Sequence, residues 1–251
     1  DHWVREIEKD IDLNAWAAGQ DGLSFAFPHV VRLRWETALE ALRAAAPKTS
    51  APEVFFAERF DRIKLEAEYS RASNRPIGAW SLLLALGEFL EASRRAEHDV
   101  CGAVEVGDLV QVYVRNASEV EQRHLALRRE SEERGLPSVA AIADRHYASY
   151  TNALNGRFFK AYAKQASAEI PGLSRVTEKL EHDLWGEKNR RAAIIVDALR
   201  FDCALSIRDQ LRGHEVVVEP MRAELPTITP IGMTALMPIS AVSKSRISPT
   251  R

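Results

Sequence analysis

Apolar residues recur at helical spacing along most of the chain. Trp3, Ile7 and Ile11 stand four apart, and Val31, Trp35, Leu39 and Leu42 repeat that interval with a one-residue drift, so both stretches predict amphipathic helices. Residues 44–52, with two prolines, Thr49 and Ser50, read as the loop that follows. Pro52 opens the next helix, in which Phe55, Phe56, Phe60, Ile63 and Leu65 lie among Glu and Arg, and Asn74 and Pro76 close it. A third helix is expected from Pro76 through Trp80, Leu83, Leu84, Phe89 and Leu90, turning polar at residues 93–98 and leaving at Gly102. In residues 104–114 the alternation of Val110, Val112 and Val114 suits a strand, whereas Leu109, Val112 and Tyr113 suit a helix, the reading preferred here. Residues 118–134 are dense in Glu and Arg and predict an exposed helix laced by i to i+4 pairs, stopped by Gly135 and Pro137. From Val139 through Tyr147, Tyr150, Leu154 and Phe158 to Tyr162 an aromatic stripe predicts a long helix or helix pair with a core face.

The period changes near Asn189. Ala192-Ala193-Ile194-Ile195-Val196 is a short apolar run, rich in β-branched residues at its end, which predicts a buried parallel strand. Leu199, Cys203, Ile207 and Leu211 share a helical face over residues 199–212, and Gly213 is a natural stop. A second strand at residues 215–218 and a helix at residues 230–236 complete the expectation of a βαβ unit. The predicted organisation is a mainly α-helical region over residues 1–188 and an α/β core fragment with a partial parallel sheet over 189–251.

Composition changes this picture little. Of 251 residues, 34 are Lys or Arg and 36 are Asp or Glu, so no strongly basic footprint for nucleic acid marks the chain as a whole. Apolar runs such as residues 80–86 and 192–196 are far shorter than the roughly 20 residues of a membrane helix, which predicts a soluble chain without membrane contact. Cys101 and Cys203 form no CxxC pair, and a reducing cytoplasm is the expected location. The first residues, Asp1-His2-Trp3, and the last, after Ser243, suggest a fragment at both ends.

Two positions could carry chemistry. Asp197 is the first polar residue after the apolar run, where open parallel sheets place ligands, but it could equally be the N-cap of a helix starting at Ala198-Leu199. Pro230 suits a first helical turn and makes Thr229 the expected N-cap. A hydroxyl there would face the positive end of the helix dipole and free N–H groups, where a phosphate could be held; a capping Thr with no chemistry is the alternative. Arg200 could contact a phosphate or lie on a solvent face, Asp202 is expected to be exposed, and the step Asn189-Arg190-Arg191 could touch nucleic acid or be a solvated strand start. Walker, dinucleotide, nucleophile-elbow and HExxH motifs are all missing.

The segments AAIIVDALRFD (192–202) and LPTITPIGMTALMP (225–238), in this order, resemble the PglZ domain. That family belongs to the alkaline phosphatase superfamily and takes part in BREX bacteriophage defence. The resemblance implies an alkaline phosphatase-like core and hydrolysis of a phosphate ester, with Asp197 ligating a divalent metal (zinc or another ion) and Thr229 as both nucleophile and metal ligand; Thr227 is the weaker match. It also implies other phage-defence proteins as partners, with nucleic acid a further class. The superfamily's remaining Asp and His ligands lie on later strands, and six of the seven histidines here precede the core, so the chain carries half a site and is expected to be inactive alone. The rival expectation is a catalytically inactive scaffold that docks defence proteins through its helices, with Phe55, Phe56, Phe60, Tyr147, Tyr150 and Phe158 as core or as docking surface.

Overall fold

Trp80–Gly102 is apolar nearly all round in its first half, and the computed structural model accordingly buries Leu82, Leu83, Leu86, Phe89 and Ala96 along it. Residues 6, 28–47, 51–72, 77–165, 169–185, 192, 194–224 and 227–236 are described. By backbone contacts the chain divides into two compact units, Asp1–Ala103 with Arg115–Arg157, and Val104–Val114 with Phe158–Arg251.

The first unit is helical. Its helices are α1 (Pro28–Ala45), α2 (Ala51–Ala72), α3 (Trp80–Gly102), α5 (Ser118–Glu133) and the greater part of α6 (Pro137–Tyr162). α2 and α5 both pack on α3, and α1 packs on α2. The apolar face expected of α2 is real: Phe55, Phe56 and Ile63 are buried, as is Tyr150 on α6, so these positions fill the core. Phe60, Tyr147 and Phe158 are half-buried. The crossing of α2 and α3 is close because Gly87 has no side chain; a Cβ there would come within 2.8 Å of the Phe56 ring. α5 carries the expected i to i+4 pairs, Glu119–Arg123, Arg128–Glu132, Arg129–Glu133 and Glu130–Arg134. It is nevertheless one-sided rather than wholly exposed, since Val120, His124 and Leu127 are buried.

α3 starts late because Gly78 turns the chain with φ +77° directly under Trp35, which meets the Trp80 ring edge-on at 5.4 Å. A Cβ on Gly78 would sit 2.6 Å from the indole. Gly78→Ala is expected to lower stability by about 2–3 kcal/mol, through both the left-handed backbone and the clash; the midpoint of urea unfolding measures it. An unchanged midpoint would mean that this turn relaxes freely. The helix starts expected at Pro76 and over residues 3–11, and the ends at Asn74 and residues 243–251, lie outside the described residues.

The second unit corrects the α/β expectation. It holds α4 (Val106–Val112), the end of α6, α7 (Val176–Leu180) running into a π turn (Glu181–Trp185), α8 (Phe201–Gln210) and α9 (Thr229–Leu236). The helical reading of residues 104–114 holds, with Asp108 accepting the Glu105 N–H at the start of α4. Among the described residues there is no strand and no sheet. The one β-type contact described is an isolated parallel bridge between Arg175 and Arg222, in which Val176 donates to the Arg222 carbonyl at 3.0 Å and the Arg222 N–H to Ser174 at 2.9 Å. Residues 194–196 and 215–218 flank α8 as the βαβ reading expects, but they are not assigned to strands and do not pair with one another. The physical reason is local: an extended segment becomes a strand only when a neighbour takes its N–H and C=O groups and covers its side chains. Here Ile194 is 89% exposed and Val217 76% exposed, so the apolar pattern has no partner to bury it.

Charged side chains make several of the contacts within this unit. Arg175 and Arg222 both donate to Glu169, whose carboxyl is held below the usual carboxylate range first by the Arg175 hydrogen bond and then by Arg222. Lys179 reaches Glu219 at 2.9 Å and Asp183 at 3.0 Å, and the Thr177 hydroxyl donates to Glu224 at 2.8 Å. These contacts tie the segment after α8 to α7, on which α9 also packs. Among the described residues no helix is long and apolar enough to cross a membrane.

Candidate active site

The segment that follows Val196 turns at once. Asp197 and Ala198 form a tight turn, and Ala198 takes φ +54°, the left-handed region that an alanine adopts only at a cost. Arg200, with an extended backbone, then leads into α8, whose first turn closes when the Ala204 N–H bonds the Arg200 carbonyl. Arg200 therefore occupies the N-cap position, and Asp197 stands outside the helix. This removes the alternative in which Asp197 caps it.

The start of α9 also differs by one residue from expectation. The N–H groups of Ile231 and Gly232 both bond the Ile228 carbonyl, at 3.1 and 3.0 Å, so Ile228 takes the N-cap role by hydrogen bonding and Thr229 is the first helical residue. Pro230 brings no N–H. Thus, of the first turn, Thr229's own N–H is what remains to meet an anion, a poorer cradle than the sequence suggested.

Free of capping, the Thr229 side chain meets Asp197. Its Oγ1 lies 3.3 Å from one carboxylate oxygen of Asp197 and 3.4 Å from the other, straddling the carboxylate across 32 positions of sequence. Both residues are exposed. The contact is longer than an ordinary O–H···O hydrogen bond. Thr227 is exposed and, among the described residues, makes no hydrogen bond to Asp197. Asn189, Arg190 and Arg191 lie outside the described residues, as do Ala193, Leu225 and Pro226.

Asp202, expected at the surface, is 1% exposed and is the buried residue of α8. It takes a two-pronged hydrogen bond from Arg200, Nε at 3.0 Å and Nη2 at 2.8 Å. Arg200 thus precedes the helix; its side chain is solvent-exposed, as one reading had it, but its guanidinium is clamped to the neighbouring carboxylate. An Arg-x-Asp step across a helix start was visible in the sequence, but the side-chain directions that join the two were not. The clamp lies at the helix start that follows the turn carrying Asp197. Replacing Ala198 tests how that turn is held: Ala198→Gly is expected to leave stability within about 0.5 kcal/mol of wild type, because relief of the left-handed backbone offsets the added freedom of the unfolded chain. Ala198→Val should lower it by about 1–2 kcal/mol, as a β-branched residue is worse at positive φ. Calorimetric midpoints of the two variants that coincide would show that the strain is absent in solution.

A carboxylate and a hydroxyl are the hard oxygen donors that a divalent ion takes. Their type fits such an ion, but their number does not complete a site, because no group of three or more His, Cys, Asp or Glu that could hold a metal occurs among the described residues.

Residues 176–248 match the model of a family of alkaline phosphatase-like domains. The family is PglZ, described as the BREX system PglZ alkaline phosphatase-like domain, and the matched stretch contains both motif segments, Asp197, the Arg200–Asp202 clamp and Thr229. No curated protein matches the chain, and no solved structure matches it.

Proposed function

We propose that the PglZ-like segment contributes the nucleophile and one metal ligand to a phosphoric ester hydrolase acting in bacteriophage defence. The observation that carries this reading is the approach of Thr229 Oγ1 to both oxygens of Asp197 at the start of α9, inside the stretch that matches the PglZ model. In it, Thr229 Oγ1 loses its proton to solvent and bonds to phosphorus while the P–O bond to the leaving alcohol breaks and that alcohol departs, and Asp197 accepts the hydrogen bond of Thr229 and so orients the hydroxyl for attack. A divalent ion bound by Asp197 and Thr229 would lower the cost of the alkoxide. The Arg200–Asp202 clamp lies at the helix start that follows the turn presenting Asp197, and the Thr229 N–H faces the incoming oxyanion. Water then releases phosphate from the enzyme.

The likeness to a BREX component also supports other defence proteins as the partners of this chain. The test is metal content and phosphodiesterase activity of the full-length protein beside its Asp197→Ala and Thr229→Ala forms. Less bound metal in the first and lost activity in both are the expected results. Equal metal in every form with no turnover, together with intact phage resistance, would favour an inactive scaffold instead.

A further inference from the structure

Shortly before Thr229 the chain is fastened to α7. The hydroxyl of Thr177, the second residue of α7, donates to the Glu224 carboxylate at 2.8 Å. Just upstream, Arg222 is held by three separate contacts. Its N–H donates to the Ser174 carbonyl at 2.9 Å, its carbonyl accepts from the Val176 N–H at 3.0 Å, and its guanidinium donates to both oxygens of Glu169 at 3.1 and 3.2 Å. α9 itself packs on α7. Residues 174–180 therefore carry both the approach to α9 and the helix that begins with Thr229.

Asp197 reaches the same place from a different support. It precedes α8, whose first residue, Phe201, meets the ring of Tyr113 at 6.2 Å. The acid and the hydroxyl thus stand on separately fastened segments, and the gap between them depends on both fastenings. A reacting group must be held within roughly 0.5 Å of its productive place, so slack at residues 222–224 is felt at Thr229.

We propose that Thr177 and Arg222 are positioning residues for Thr229, with α7 as the platform that sets how closely its hydroxyl approaches Asp197. This role rests on the hydrolase reading, which names Thr229 as the nucleophile. Three variants of the full-length protein test it. Thr177→Val removes the hydroxyl at nearly constant volume, Thr177→Ser keeps it, and Arg222→Met releases Glu169 while leaving the main-chain bridge intact. Hydrogen exchange at the Ile231 and Gly232 amides, which bond the Ile228 carbonyl, reports the start of α9, with α3 of the first unit as the reference. Thr177→Val and Arg222→Met are each expected to speed exchange there about tenfold with α3 unchanged, and Thr177→Ser to keep the wild-type rate. In phosphate-ester turnover the same two variants should lower kcat about tenfold with KM within about twofold of wild type, because the substrate's contacts remain while the nucleophile is displaced.

Unchanged exchange at α9, an equal rise in α3, or a serine variant that exchanges as fast as the valine variant would each overturn the proposal. Faster exchange at α9 with kcat unchanged would overturn it too, by showing that the platform does not govern the hydroxyl. A wild-type protein that turns over no ester counts against the hydrolase reading instead, and exchange at α9 then decides by itself whether α7 fixes Thr229.

Discussion

Under the proposed hydrolase function, Thr229→Ala is expected to reduce phosphate-ester turnover about 1000-fold or more, while Thr229→Ser retains most of it. The reasoning follows from what each variant keeps. Alanine leaves α9 able to form, since the helix start is closed by the Ile228 carbonyl and Thr229 contributes no cap, so a loss would report chemistry rather than folding. Serine keeps the hydroxyl that faces Asp197 and loses only a methyl group. If the alanine form were as active as wild type, Thr229 would not be the nucleophile; if serine were as inactive as alanine, the methyl group's contacts, rather than the oxygen, would carry the effect. Asp197→Asn adds a second reading, because it keeps an acceptor for the Thr229 hydroxyl yet removes the charge that a divalent ion needs. Metal affinity should fall in that variant even where the hydrogen bond survives.

In the first unit, Glu66→Ala is expected to cost about 3–5 kcal/mol. Glu66 is completely buried on α2, and Arg34 of α1 donates to its Oε1 at 3.2 Å, with Arg62 at 3.9 Å. The Arg34 side chain is itself only 14% exposed, so removal of the carboxylate would take a charged hydrogen-bond acceptor from a buried guanidinium and leave a hole. Oε2 of Glu66 has no hydrogen-bond partner among the described residues. Burial raises the Glu66 carboxyl above its ordinary range, against the opposing pull of Arg34 and Arg62. A carboxyl raised by folding binds its proton more tightly in the folded state. Its contribution is therefore complete below the ordinary carboxylate range and is lost as pH rises through the raised folded value. The stability of wild type relative to Glu66→Gln, which does not titrate, should accordingly be greater near pH 4 than near pH 7. Urea unfolding of both proteins at the two pH values measures the difference, and a gap that widens toward pH 7 would show that the ion pair outweighs burial.

Where the second unit departs from the α/β form expected of residues 189–251 is also where the sequence pattern was least able to decide. Helices close their own hydrogen bonds within a few residues, so periodicity was enough to place α2, α3, α5 and α6 and to foresee the burial of Phe55, Phe56 and Tyr150. Even the ambiguous stretch 104–114 proved helical, because Glu105 and Asp108 supply a local start. A strand has no such self-sufficiency. Ile194, Ile195 and Val196 carry the composition of a buried strand, yet in the structure they are exposed and form no strand, and the single bridge described forms between Arg175 and Arg222, residues that no apolar pattern marks.

For the candidate site the division is similar. The residue types and their order, an acid after an apolar run and a threonine before Pro230, were legible in the sequence, and so was the likeness to PglZ. Distance was not: only the tertiary structure sets Thr229 Oγ1 at 3.3 Å from Asp197, gives the cap of α9 to Ile228 and folds Arg200 onto a buried Asp202. Local periodicity determines which segments coil and which faces are apolar, because those depend on neighbours three or four residues away. Which side chains meet across 32 residues depends on where two separate turns end in space, and that is decided by packing and by the charged contacts that tie residues 215–224 to α7.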